Sequence, residues 1–382
     1  MHVLTEIMFI TIITFILVLS LLVFVHELGH FWVARKFGLK PKEFGFGFPP
    51  RAFGYYKNTE GKWKKVIGTK DPEDASDTIY SINWLPLGGF VNLEEDEDKG
   101  DDPNHFSNKP IYQRTLILIA GVSMNIILAA VLISVGYMIG LPQTISDLGT
   151  GAKVSDVKVQ VLDVAKDSPA EAGGVEAGDV ILSLNGIEID CNQTIQDLSD
   201  QNVDNEVVYK IKRADKEIDL RMTPQIIEET GRGGIGVSIA ETGIVRYSFF
   251  RAIWEGVRTT LIMTWIIIIA FYELIKGLVI GNGVSIEVGG PVRIAQITGD
   301  AVRMGFSYLI NFSALLSINL AIINAFPFPA LDGGRVVFLL VEKIQGHPVS
   351  KRIETAIHSI GFALLMVLIV LVTYQDIARF WQ

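Results

Sequence analysis

Cysteine is nearly missing from this chain. Its 382 residues include one, Cys191, which excludes an internal disulfide framework and any cysteine-rich metal site. Charge is scarce too: Asp, Glu, Lys and Arg together make up 20% of the chain, below the roughly one quarter usual for soluble domains. The charge that is present leans acidic, with a net value of −9, and so argues against nucleic acid as a partner, whose binding footprint is basic. Histidine is rare, with six in all. No fixed-period repeat is visible. Against these shortages stands an excess of apolar residues, 49% of the chain. That excludes a disordered chain and argues against a purely soluble one.

The apolar residues fall in blocks. Residues 7–25, 116–141, 305–331 and 355–375 carry no Asp, Glu, Lys or Arg. Each block is long enough to cross a hydrocarbon core of about 30 Å as a helix. The first lacks a basic flank before it and a small-residue cleavage site after it, so it reads as a retained span. A fifth block, residues 259–272, holds fourteen uncharged residues and meets Glu273 and Lys276 at once. Its length predicts an interfacial or re-entrant segment, opened by an amphipathic stretch containing Phe250, Arg251, Trp254 and Arg258. Nine Lys or Arg lie between Arg35 and Lys65, and Arg335, Lys343, Lys351 and Arg352 follow the third span. This asymmetry predicts that spans one and three end in the cytoplasm, with the N-terminus and the segment between spans two and three outside.

The predicted organisation is therefore an α-helical polytopic membrane protein with four transmembrane helices. The first helix occupies residues 1–36, and a cytoplasmic-side loop follows at 37–112. The second helix covers 113–142 and an outer soluble domain 150–245. A non-spanning segment at 246–300 precedes the third helix at 304–345 and the fourth at 353–378. The loop holds the glycine-interleaved apolar runs 44–48 and 80–93, then an acidic run from Glu94 to Asp102. The outer domain alternates like short strands at 157–161, 180–184 and 207–211, with turns at Asp167-Ser168-Pro169 and Asn185-Gly186.

The chemistry begins at the end of the first span, with His26-Glu27-Leu28-Gly29-His30. Positions i and i+4 share a helix face, so both imidazoles can reach one metal, and neutral imidazole suits zinc. Glu27 is placed to take a proton from an activated water. Ionisable groups at a membrane helix end are costly and mark function. A catalytic zinc needs a third protein ligand and an open position. Asp332 is the candidate, in Asn324-Ala-Phe-Pro-Phe-Pro-Ala-Leu-Asp332-Gly333-Gly334. The prolines break the helix, and the glycines let other backbone approach. Two spans running in the same direction bring Asp332 and the histidine pair to one depth.

With these motifs the chain resembles the intramembrane zinc metalloproteases of the site-2 protease family, in their bacterial RseP-like branch, nearly end to end. The resemblance implies His26, His30 and Asp332 as zinc ligands, Glu27 as the catalytic base, and Asn324 as a residue holding substrate or the oxyanion. Gly121-Val-Ser-Met-Asn125 resembles the family's Gly-x-x-x-Asn element, with Val122 where the family often has Pro. It leaves Asn125 either a substrate-gating residue or an interhelical hydrogen bond. The runs 44–48 and 80–93, with Gly88 and Gly89, are implied to form membrane-dipping β-hairpins beside the zinc. Their strand edge would hold an unwound substrate by β-augmentation.

Residues 167–175 and 178–186 resemble a single PDZ domain, inserted on the extracytoplasmic side, whose groove takes peptide termini or strands. The implied setting is the lipid bilayer of a bacterial cytoplasmic (inner) membrane, with the active site near the cytoplasmic side. The implied substrates are single-span proteins, such as anti-sigma factors or remnant signal peptides, first shortened by an upstream site-1-type protease. A non-proteolytic PDZ adaptor with structural zinc is the rival reading, which an intact Glu27 disfavours. A zinc transporter ranks last, because only one ligand cluster is present. His2, His105, His347 and His358 show no ligand spacing and read as bystanders.

Overall fold

The computed structural model describes residues 2–93, 105–145, 148–213, 216–227, 231–280 and 289–379. The acidic run from Glu94 to Asp102 lies outside the described residues. The chain divides into two compact units: Met1–Ile133 with Gly256–Gln382, and Ser134–Glu255.

The first unit is built on long apolar helices. Helix α1 spans His2–Lys36. It stops where Gly38 takes φ +81 and Leu39 N–H reaches back to the Ala34 carbonyl, a left-handed cap that glycine supplies at no steric cost. Leu39 then packs with Ala34 and Ile117, locking the exit of α1 onto the next helix. Between them lies a three-stranded antiparallel sheet of β1 (Glu43–Lys57), β2 (Trp63–Ile67) and β3 (Ile79–Asn92), in the order β2-β1-β3. Strand β1 pairs with β3 twice over: Phe44 faces both Val91 and Tyr80, and Gly45 faces both Phe90 and Ser81. The last residues of β3, 89–92, therefore form the outer ribbon on that side of the sheet. The sheet is fastened by charge. Arg51 is buried between Glu43 and Asp71, and Asp77 pairs with Arg35 at the end of α1.

Helix α2 (Ile111–Ile139) begins in this unit. It is followed in the second unit by β4 (Leu141–Thr144), β5 (Lys153–Val164), α3 (Pro169–Ala172), β6 (Val180–Leu184), β7 (Ile187–Glu188) and α4 (Asn192–Gln201). Strands β8 (Val207–Arg213), β9 (Lys216–Met222), β10 (Gln225–Ile227), β11 (Arg232–Gly234) and β12 (Val237–Arg246) complete it. The main sheet runs β4-β12-β5-β6-β8-β9, with β7 paired to β6 and β10 to β11. Asn185 and Gly186, at φ +47 and +81, make the tight turn from β6 to β7. Val159 with Val161 and Tyr209 with Ile211 point inward by period-2 alternation, and a register shift between Ile181 and Ser183 of β6 turns both Ile181 and Leu184 into the same core.

Helix α5 (Phe249–Ile280) is longer than the apolar block read from the sequence. The block 259–272 is not a short segment but the middle of a helix of 32 residues, and Phe249–Leu278 has the length and mean hydropathy, 1.9, of a span. The flanking charges do not end the helix because they pair along it, Arg251 with Glu255 and Glu273 with Lys276. Among the described residues, five helices rather than four are long and apolar enough to cross a membrane.

The remainder of the first unit consists of α6 (Pro291–Met304), α7 (Phe306–Ala325), α8 (Asp332–Gln345) and α9 (Lys351–Arg379). Asp376 of α9 caps the N-terminus of α6 by accepting from the N–H groups of Gly290 and Arg293, and Gly299 lets α6 close on Thr11 of α1. The expected third span at 304–345 is two helices. Pro327 and Pro329 end α7, and Asp332 starts α8. Arg114 of α2 grips Glu342 of α8 through two parallel hydrogen bonds, both side chains nearly buried.

Candidate metal centre and active site

Helix α1 delivers two imidazoles one turn apart. His26 and His30 are both buried, and their Nε2 atoms lie 3.1 Å from each other. Asp332 Oδ2 completes a triangle, 2.9 Å from His26 Nε2 and 3.2 Å from His30 Nε2. Three such electron-pair donors turned inward repel one another unless a proton or a metal cation lies among them. Tetrahedral zinc, with bonds of about 2.0–2.1 Å, holds its ligand atoms about 3.3 Å apart, close to the observed triangle. Among the described residues these three alone form a cluster able to hold a metal, and nitrogen and carboxylate donors of this kind fit zinc.

Each histidine is held from behind. His30 Nδ1–H donates to the carbonyl of Ile117 on α2 at 2.8 Å, which leaves a lone pair on Nε2 for the metal. His26 Nδ1 lies 3.3 Å from the side-chain amide of Asn125, which is fully buried on the same helix. With Nε2 as a ligand, His26 carries its proton on Nδ1, so the amide must turn its oxygen to it; Oδ1 is the Asn125 atom that otherwise has no partner. The Asn125 backbone carbonyl accepts from Ser317 of α7, which ties three helices together at this level.

Close approach of α1 and α2 makes this support possible. A Cβ on Gly29 would stand 2.5 Å from the Ala120 carbonyl oxygen, and one on Gly121 would stand 2.4 Å from His30 Nε2 and 2.8 Å from His26 Cε1. Asp332 arrives by a different device. Ala330 sits at φ +79, and a Cβ on Gly333 would stand 2.3 Å from the carbonyl oxygens of Ala325 and Phe326. The chain folds back on its own carbonyls and presents Asp332 in the first turn of α8, where the helix dipole favours a carboxylate.

Glu27 lines a cavity of about 800 Å³ together with His30 and Asp332. The outer ribbon of β3, from Phe90 to Asn92, forms another part of its lining together with Leu93 just beyond it, and the Val91 backbone hydrogen-bonds the Glu27 carboxylate. The residues named from the sequence do not all end up here. Gly88 and Gly89 face α1: a Cβ on Gly88 would stand 2.6 Å from Val23, and one on Gly89 would stand 3.1 Å from Phe24 Cα. They let β3 lie flat on the helix, where Ser20 accepts from Gly88 N–H and donates to the Pro86 carbonyl. Asn324 occupies the last turn of α7 and takes no part in the hydrogen bonds linking the ligand residues. Conversely His358, which carries no local signal in the sequence, lines the cavity from α9 beside Arg335 and Glu354.

The description "Peptidase family M50" belongs to a family model that matches residues 14–368. The chain belongs to that family. A Clostridium acetobutylicum protein named as a zinc metalloprotease is 34% identical over 97% of this chain and 98% of its own length. Zinc metalloprotease RasP of Shouchella clausii is 29% identical over 97% of this chain and 100% of its own length. The PDZ domain of an SdrC-like protein from Listeria innocua, 31% identical, covers 22% of this chain and 92% of that domain, with a TM-score of 0.20. The chain is a multi-pass zinc metalloprotease of the site-2 type.

Proposed function

We propose that this M50 peptidase cleaves transmembrane segments of single-span proteins inside the bilayer, the final step of regulated intramembrane proteolysis. The observation that carries this reading is the shared cavity: the base, two of the three ligands and the outer ribbon of the sheet meet in one space among helices long and apolar enough to cross a membrane. A peptide bond inside a helix is shielded by its own hydrogen-bond ladder, so the substrate must be unwound and held extended. The ribbon 89–92 offers backbone groups for such a strand.

With zinc bound at His26, His30 and Asp332, the site gains a Lewis acid that polarises the scissile carbonyl and acidifies water. Glu27 takes the proton from the attacking water and passes it to the leaving amine. The hydrogen bonds of His30 to Ile117 and of His26 to Asn125 keep both rings in the tautomer that ligation needs. The half-buried Asn324 at the end of α7 holds the substrate or its developing oxyanion, as the family resemblance implies.

The wider reading rests on charge and on the second unit. The basic residues at the end of α1 and beyond it, and those after α7, favour a cytoplasmic-side active site, with the N-terminus and the PDZ-like unit on the outer face of a bacterial inner membrane. In that unit a cleft of about 480 Å³ lies between Ile195, Gln196 and Ser199 of α4 and residues 235–239, where Val237–Ala240 leave one strand edge unpaired among the described residues. It takes the terminus or strand of a substrate already shortened by an upstream protease, such as an anti-sigma factor stub or a remnant signal peptide. The test is incubation of the purified protein in detergent with a model single-span substrate, beside Glu27→Gln, with zinc measured in both. Cleavage by the parent alone, with one zinc per chain in each, is expected. Cleavage by both would remove Glu27 as the base, and zinc in both without cleavage of any single-span protein would favour an adaptor.

A further inference from the structure

His358 lies on α9, remote in sequence from both ligand motifs, yet it lines the same cavity as Glu27, His30 and Asp332. Its two ring nitrogens meet different surroundings. Nδ1 accepts the backbone N–H of Ala330 at 2.9 Å. An amide can only donate, so Nδ1 bears the lone pair and the ring proton sits on Nε2. That Nε2–H is buried and has no hydrogen-bond partner among the described residues. Glu354 Oε1, at 3.9 Å, is beyond hydrogen-bond reach. The ring is also held in place, with its centroid 5.3 Å from that of Phe338. An unsatisfied buried donor costs about 1–3 kcal/mol, so such a group in a native site calls for a functional partner.

The Ala330 contact matters for the metal centre. Ala330 is a non-glycine residue at φ +79, a conformation that costs about 1–2 kcal/mol and needs outside support. Helix α9 supplies that support at two places on one face. His358 accepts from Ala330, and three residues on Gly361 leaves room for Pro329, where a Cβ would stand 2.4 Å from Pro329 Cβ. The turn that presents Asp332 is therefore seated on α9.

The substrate supplies what Nε2–H lacks. An extended peptide paired to the ribbon 89–92 along one edge leaves the carbonyls of its other edge unpaired, a costly state in a membrane interior. We propose that His358 divides two tasks between its nitrogens: Nδ1 positions the turn that delivers Asp332, and Nε2–H binds a backbone carbonyl of the extended substrate. This rests on the reading of the cavity as a peptidase active site.

The test uses three variants of the full chain in detergent, His358→Asn, His358→Gln and His358→Phe. Zinc affinity is measured by chelator competition, and KM and kcat are measured on a single-span substrate. The short amide of Asn reaches the Nδ1 position and replaces the acceptor there. The longer amide of Gln reaches the Nε2 position and replaces the donor. The expected result is that Asn keeps zinc affinity within about twofold but raises KM about tenfold, the loss of one hydrogen bond. Gln should lower zinc affinity about tenfold and keep KM closer to the parent. Phe should lose both. A Phe variant with parental zinc affinity and KM would overturn the proposal, and so would equal losses in all three. Cleavage by Glu27→Gln at the parental rate would instead bring down the active-site reading and with it the Nε2 role, while the zinc-affinity arm would still judge the Nδ1 role.

Discussion

A Cβ built on Gly121 would stand 2.4 Å from Nε2 of His30, the nitrogen that faces Asp332. Helix α2 is thus the floor on which the metal ligands rest, and its glycine is a condition of the site's geometry. Gly121→Ala forces the imidazoles aside, since neither can retreat while His30 is bound to Ile117 and His26 lies against Asn125. We expect zinc affinity to fall by about tenfold to a hundredfold while helix content stays at the parental level. Chelator competition beside far-ultraviolet circular dichroism checks this, and an unchanged affinity would show that the rings do not depend on that floor.

Glu27 is not part of the ligand triangle, so its loss separates metal binding from catalysis. Glu27→Gln keeps size and shape but cannot take a proton. Cleavage should fall by at least about a hundredfold, with zinc content unchanged. A drop in bound zinc of the same order would mean that the carboxylate serves the metal rather than the water.

Much of the centre was legible in the chain because its signals are local. The spacing of His26 and His30 announces a shared helix face, and Asp332 announces itself through the prolines and glycines around it. The apolar runs 44–48 and 80–93 read as strands; the first falls within β1 and the second lies in β3 up to Asn92. What was not legible depends on how elements approach one another. Nothing in the order of residues along α2 says that Gly121 lies under His30. Nothing near His358 says that Ala330 will come to it. Nothing near Gly88 and Gly89, which read as substrate contacts, says that they also seat β3 on α1. The block 259–272 is shorter than its helix because Glu273 and Lys276 interrupt the apolar run without ending the helix, where they pair with each other.

Asn125 offers a test of indirect support. Its side-chain amide lies 3.3 Å from His26 Nδ1, zinc ligation through Nε2 requires that the amide turn its oxygen to that ring N–H, and the residue is fully buried. Asn125→Leu keeps the volume and removes the acceptor, so zinc affinity should drop about tenfold to a hundredfold. Asn125→Asp, which keeps an oxygen in place, should retain more of it. If Leu binds zinc as tightly as the parent, Asn125 is only a helix contact.

The sheet beside the cavity should loosen in acid. Burial alone would raise the Asp71 carboxyl, but Arg51 and Lys42 hold it below the ordinary carboxylate range. Burial likewise opposes ionisation of Asp77, and Arg35 together with the Thr78 N–H holds it low. A lowered folded-state value means that the stabilisation is fully present above the unfolded value of about 3.9 and is lost as pH falls through the lower folded value. Amides of residues 43–92 should therefore keep their hydrogen-exchange protection down to about pH 4 and lose it below. Loss already between pH 7 and 5 would point to other groups.

The pair of Arg114 and Glu342 joins the start of α2 to α8, the helix that opens with Asp332. Both side chains are nearly buried, at 10% and 13% exposure, so removing one leaves the other without compensation in a poor solvent for charge. Arg114→Met or Glu342→Leu alone should each destabilise the protein by about 3–5 kcal/mol. The double variant Arg114→Met with Glu342→Leu removes both charges and fills their volume, so it should recover most of that loss. Thermal unfolding of the four proteins in detergent reads the coupling. A double variant as unstable as the sum of its singles would show that the two residues act independently, and that α8 is held to α2 by its apolar face alone.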